Sequence, residues 1–171
     1  SVLALSHIIL LCTVLLAPAH LFAQAAKDIE INAKNFPDAA FRNYVTEKFG
    51  KNGVIPASTV VNSLSLDKLG IKDLTGLKFF PELTTLSCQG NSDLTSIDLS
   101  VVPKLKKLLI VDCNVTSLDF TNNPDMIYID CSNSKNAGKL ASINVSKCSG
   151  LTHLSLRGNK IDILDVTHNP E

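Results

Sequence analysis

The sequence predicts an α/β solenoid: short parallel strands stacked into a sheet on a concave face, closed at the N-terminal end by a small helical cap. Three observations predict it. A six-residue apolar pattern, (V/L/M)-x-x-(L/I)-x-(L/C/I), opens at Val61, Leu83, Leu105, Met126 and Leu151, at intervals of 22, 22, 21 and 25 residues. A second apolar triplet follows the pattern in the later units, as Leu94/Ile97/Leu99, Val115/Leu118/Phe120, Leu140/Ile143/Val145 and Ile161/Leu164/Val166. A single helix-like segment precedes the first pattern. Self-similarity at a period of 20–50 residues is the signature of a stacked array, in which no unit buries its apolar side alone.

The chain has 171 residues, with 16 Lys+Arg balanced by 16 Asp+Glu and aromatic residues at only 5%. Zero net charge argues against a nucleic-acid groove or a polybasic membrane surface, both of which need clustered positive charge. With 45% hydrophobic residues, disorder is excluded, and Leu, Ile and Val must build the core.

Residues 1–25 carry no charged side chain, so all 32 charges fall in the remaining 146 residues. The dense apolar run from Val2 to Ala19, followed by small residues at Ala23 and Ala25, reads as a secretory signal peptide cleaved after Ala25, or after Ala23. About 20 apolar residues could also span a bilayer, but Pro18, His7 and the cleavage-like end favour the signal. Leu11 is too bulky for a lipoprotein signal at Cys12. The chain opens Ser1-Val2-Leu3 without Met or an early Lys or Arg, so a few preceding residues are expected.

Residues 26–60 read as the helical cap. Asn35-Phe36-Pro37-Asp38 is a helix start, with Pro in the first turn and Asp at the positive end of the dipole. Phe41, Tyr44, Val45 and Lys48/Phe49 follow at helical spacing, and Gly50 closes the helix. Gly50-Lys51-Asn52-Gly53-Val54 is a linker without a carboxylate, which excludes a calcium loop. Ile55-Pro56-Ala57-Ser58 is read as a short second turn.

Residues 61–171 form five repeat units. A polar pair frames the last apolar position of each second triplet: Asp98/Ser100, Asp119/Thr121, Asn144/Ser146 and Asp165/Thr167. Asn91 and Asn159 lie three residues after the strand pattern, placed to satisfy buried backbone groups of the turn. Leu69 and Cys113 break that pattern. Ser132–Lys139 holds about four extra residues and reads as a bulged surface loop. This pattern resembles the leucine-rich repeat, and more narrowly the short bacterial repeats of internalin-J-like surface proteins, over roughly residues 28–171. The resemblance implies one short parallel strand and a return segment per unit, stacked into a curved solenoid. It also implies that Cys at the inward strand site packs as a free thiol. The last unit stops at His168-Asn169-Pro170-Glu171, where another pattern should open, so a continuation beyond Glu171 is expected.

Without Cys12, the cysteines are Cys88, Cys113, Cys131 and Cys148. Cys88 and Cys131 share a repeat position two units apart, roughly 10 Å, beyond the ~7 Å Cα reach of a disulfide. Cys113 is offset by three positions from both. Buried, reduced thiols are therefore expected. No C-x-x-C or H-x-x-x-H spacing offers a metal site, and no Gly-rich phosphate loop or carboxylate pair stands out. After the leader only His153 and His168 remain, and His153 should face away from inward Cys131. No catalytic residue, metal or cofactor is expected.

What remains is the outer face of the strands, where alternation exposes Lys107, Tyr128, Asp130, His153 and Arg157 on three successive strands. Aromatic and cationic side chains are enriched at binding hot spots, and these five are the candidate binding residues. The resemblance and the leader together imply a secreted or cell-surface, adhesin-like protein that binds a protein or glycan, with no nucleic-acid partner. Membrane contact would come only through the leader or an anchor outside this chain. The alternative is a structural or accessory repeat module of a larger secreted protein, whose enzymatic or anchoring domain lies beyond Glu171.

Overall fold

The computed structural model describes residues 27–170. The segment read as a signal peptide, residues 1–25, lies outside the described residues. Among the described residues, no helix is long and apolar enough to cross a membrane.

The N-terminal segment is an antiparallel pair, β1 (Ile29–Glu30) and β2 (Val54–Ile55), enclosing one helix, α1 (Ala39–Phe49). Asp38 is the N-cap and its Oδ1 accepts from the Phe41 amide at 2.9 Å, so Pro37 stands just before the cap rather than in the first turn. The other Asp38 oxygen accepts from Lys72 N at 2.8 Å and ties the helix to the first coil. Gly50 closes the helix in an extended conformation, φ −70°, and glycine is required there because a Cβ would sit 2.5 Å from the Thr46 carbonyl oxygen. Ile55, read as part of a turn, belongs to β2; the turn is confined to Ala57–Ser58, closed by Thr59 N donating to Pro56 O. The linker before β2 is a hairpin. Lys51 and Val54 exchange backbone hydrogen bonds around Asn52 and Gly53, both at positive φ, which is the Asn-Gly geometry of a tight two-residue turn.

The repeats build a five-stranded parallel sheet in the order β3 (Ser63–Ser65), β4 (Thr85–Ser87), β5 (Lys107–Leu109), β7 (Tyr128–Asp130), β9 (His153–Ser155). The register aligns the middle residues Leu64, Leu86, Leu108, Ile129 and Leu154, all pointing inward. A second parallel pair, β6 (Ser117–Asp119) and β8 (Ser142–Asn144), forms in the return segments, with Leu118 opposite Ile143. Both apolar triplets therefore face one continuous core, which runs from Phe36 and Phe41 in the cap to Leu151. Gly76 lies directly under the Phe36 ring, leaving no room for a side chain, and this close approach seats the cap on the first coil. Phe36 and Phe41 meet edge-to-face at 5.6 Å there.

The polar pairs have a mechanical role. Asp98, Asp119, Asn144 and Asp165 each accept from the amide two residues on, at 2.9–3.1 Å, a side-chain turn that bends the return segment. Asp73 does the same for Thr75 in the first coil, a copy the apolar spacing did not reveal. Asn91 is fully buried: its Nδ2 donates to Leu66 O and Cys88 O, and its Oδ1 accepts from Ile71 N. Asn159 repeats this with Cys131 O and Leu156 O.

A second ladder of the same design runs along the opposite corner. Asn123 donates to Leu99 O and Val102 O, and Asn169 to Val145 O and Cys148 O. The sequence signal is an Asn three residues after Phe120 and Val166.

The strand face as a candidate protein-binding site

Parallel register brings the candidate side chains into columns. Ser63, Thr85, Lys107, Tyr128 and His153 are direct neighbours across the five strands. Within this column the rings of Tyr128 and His153 stack at 4.1 Å with 7° between their planes. Lys107 Nζ lies 4.5 Å from the Tyr128 ring centre on the column's other side, a cation–π contact. Both faces of Tyr128 are thereby covered by protein. Strand spacing of about 4.8 Å makes this stacking a direct consequence of register.

Asp130 sits one column over, opposite Leu109 and Ser155. One of its oxygens is held by Ser132, which donates from its amide at 3.0 Å and its hydroxyl at 2.7 Å. Arg157 lies past the end of β9. Its carbonyl accepts from Asn133 N at 2.7 Å, so its backbone is fixed while its side chain stays exposed. Thus Lys107, Tyr128 and His153 form one contacting group, whereas Asp130 and Arg157 flank it. Leu109 and Val111, half-buried on the same face, supply apolar area beside it.

The thiols are separate from this face. Among the described residues all four cysteines are buried and unbridged. Cys88 and Cys131 point inward from their strands, and Cys113 and Cys148 stand on rungs where neighbouring coils carry Asn. Cys113 Sγ donates to Cys88 O at 3.1 Å, and Cys148 Sγ to Asn123 O at 3.6 Å, imitating the asparagine bonds. Cys113 also reaches the Cys88 thiol, a contact its offset in the repeat did not suggest. That hydrogen bond, with burial, raises Cys88 well above the usual thiol range, and the same bond lowers Cys113. Burial pushes Cys148 up to about 11 and Cys131 higher still. Among the described residues no group of three His, Cys, Asp or Glu side chains is arranged to hold a metal ion.

Solved structures with this architecture include the functional domain of InlJ from Listeria monocytogenes, which includes a cysteine ladder; the two chains are 29% identical with a TM-score of 0.75. The match covers 85% of this chain and 32% of that one, so the chain spans about a third of its length. An internalin (inlF) from Listeria monocytogenes shares the fold at 22% identity and a TM-score of 0.54, covering 85% of this chain and 49% of that one. Comparison with curated proteins finds no match. The family model described as the endo-β-N-acetylglucosaminidase EndoS LRR domain matches residues 36–170. With its repeats, its asparagine ladders and this match over most of its length, the chain belongs to that leucine-rich repeat family.

Proposed function

We propose that this chain is a protein-recognition segment of a secreted or surface-attached bacterial protein, and that its partner docks on the strand face around Lys107, Tyr128 and His153, with Asp130 and Arg157 at the margin. The observation that carries this reading is the Lys107–Tyr128–His153 stack. It is a rigid aromatic and cationic group held by three strands, the composition that dominates interface hot spots. Because both Tyr128 faces are covered, a sugar ring has no free tyrosine surface to stack on, which favours a protein partner on this face over a glycan. No catalytic role is assigned to this region: His153 is exposed on β9, whereas Cys131 is buried in the core.

A second reading is an accessory module of a larger secreted enzyme. It is supported by the family description, which names a repeat domain within a glycosidase. In both readings residues 1–25 direct export. N-terminal sequencing of the exported protein should then begin at Ala26, or at Gln24 if cleavage follows Ala23.

The docking face is tested by placing a photo-crosslinking side chain at position 128 and, separately, at Ser96 on a return segment. The purified partner captured through position 128 is then titrated against the Tyr128→Ala/Arg157→Ala variant. A folded variant that binds about tenfold more weakly supports the reading. Equal capture at both positions, or undiminished binding by the variant, places the partner elsewhere.

A further inference from the structure

The corner where the strands pass into their turns holds an open hollow of about 530 Å³ that the strand-face reading does not use. Lys68, Lys135 and Lys139 line it, with Asp112 as its one carboxylate. The ion pairs among the described residues join Lys48 to Glu47, Lys72 to Asp93 and Lys104 to Glu82, so the three lysines of the hollow have no carboxylate within 4.0 Å. Asp112 offsets only one of the three charges. Its oxygens are occupied by Ser134, whose amide donates at 2.7 Å and whose hydroxyl reaches both oxygens at 2.9 Å. Those bonds, helped by Lys135 and Lys68, hold the Asp112 carboxyl below the usual carboxylate range. Two positive charges are left over in a chain whose net charge is zero.

The Lys68 stem and the loop backbone that carries Lys135 and Lys139 are also held in place. The Lys68 stem lies across Gly90, where a Cβ would approach its Cγ to 2.8 Å. Lys135 and Lys139 belong to the longer loop Ser132–Lys139, and buried Asn133 fixes that loop by accepting from Lys135 N at 3.1 Å and Ala137 N at 3.0 Å. Ordering the loop in advance removes part of the entropy cost of binding.

The geometry points to this hollow as a binding site for an acidic oligosaccharide, one bearing uronate or sulfate groups. Lys68 and Lys135 stand on coils three strand steps apart, roughly 14 Å. A single phosphate cannot span that separation, and an extended chain with several anionic groups can. The walls otherwise offer amides and hydroxyls, from Asn114, Asn133 and Ser92, and no aromatic side chain that would anchor an acidic peptide. A ligand read by charge and many hydrogen bonds matches a hydroxyl-rich acidic sugar.

The test is calorimetric titration of the full chain with four probes: a sulfated uronate hexasaccharide, its unsulfated counterpart, maltohexaose, and a single-stranded oligonucleotide of matched charge. Both uronate probes should bind, and maltohexaose should bind at least about tenfold more weakly, since charge-assisted hydrogen bonds carry the interaction. Lys135→Gln/Lys139→Gln should weaken both uronate probes about tenfold, whereas Lys34→Gln/Lys51→Gln, removing the same charge from the exposed cap, should leave them within about twofold. Tyr128→Ala should keep the uronate affinity, separating this site from the strand face. Both lysine pairs are exposed, and circular dichroism confirms that each variant is folded. Equal weakening by the two lysine pairs, maltohexaose binding as tightly as the acidic sugars, tighter binding of the oligonucleotide, or no binding at all overturns the proposal.

Discussion

Asn91 and Cys113 occupy the same rung on successive coils, and they satisfy it to different degrees. Asn91 meets three backbone groups, while Cys113 donates one weak bond to Cys88 O. Replacing Asn91 by Ala leaves those groups buried without partners and should cost on the order of 3 kcal/mol or more. Cys113→Asn restores the common rung and should change stability by no more than about 1 kcal/mol. Urea unfolding of the two variants measures both. The thiols add a dependence on pH. Cys148 and Cys131 are raised by burial above the unfolded thiol, which titrates near about 8.5. The folded chain therefore keeps protons that the unfolded chain gives up. That contribution is complete below about pH 8.5 and is lost as pH climbs toward about 11 for Cys148. The urea midpoint should fall from pH 8 to 10.5, and Cys148→Val, which places on this rung the residue found at Val102, should flatten the fall. A wild-type midpoint constant over that range contradicts the assignment.

At the scale of elements, each strand of the main sheet is three residues long, yet its ladder continues beyond it. Lys68 N donates to Gln89 O, Gly90 N to Val111 O, Asp112 N to Ser132 O and Asn133 N to Arg157 O. The strands and their register were legible in the sequence because two periods coincide there: alternation within a strand and about 22 residues between strands. The same logic identified Lys107, Tyr128 and His153 as neighbours. It could not reveal that both Tyr128 faces are covered, since that depends on side-chain rotamers. The second ladder escaped because its rung is shared by Val102, Asn123, Cys148 and Asn169, residues without a common hydropathy. The Lys51–Val54 hairpin is carried by its Asn52-Gly53 pair, a turn signal independent of the missing carboxylates. Burial also grades what looks equivalent in sequence. Leu108 is fully buried, so Leu108→Ala should cost roughly 2–5 kcal/mol. Leu154 is only partly buried, and Leu154→Ala should cost less, about 1–2 kcal/mol. Thermal or urea unfolding of the two variants distinguishes them.

Over the whole molecule, each coil touches only its neighbours, so stability is a sum of coil terms and nearest-neighbour interfaces. Those terms are unequal. The first coil is sealed by Phe36 and Phe41, both fully buried, whereas Ile97 and Ile143 in the return segments are only partly buried. Amide hydrogen exchange should accordingly be slowest in β4 and β5, each paired on both sides, and faster in the two-stranded β6–β8 pair, where Ile143 is only partly buried. Uniform protection across these strands would mean that the array opens only as a unit.

Parallel stacking also governs how the chain meets a mechanical load. Tension between the two ends runs across the strands, so the sheet's hydrogen bonds are opened one after another, as in a zipper, instead of being sheared together. Every coil released pays out about 22 residues, or roughly 70 Å of extended chain. A pulling trace with steps near that length is the expected record. Such a molecule lengthens by instalments under strain while its remaining coils keep their shape, the behaviour of a ratcheted tether.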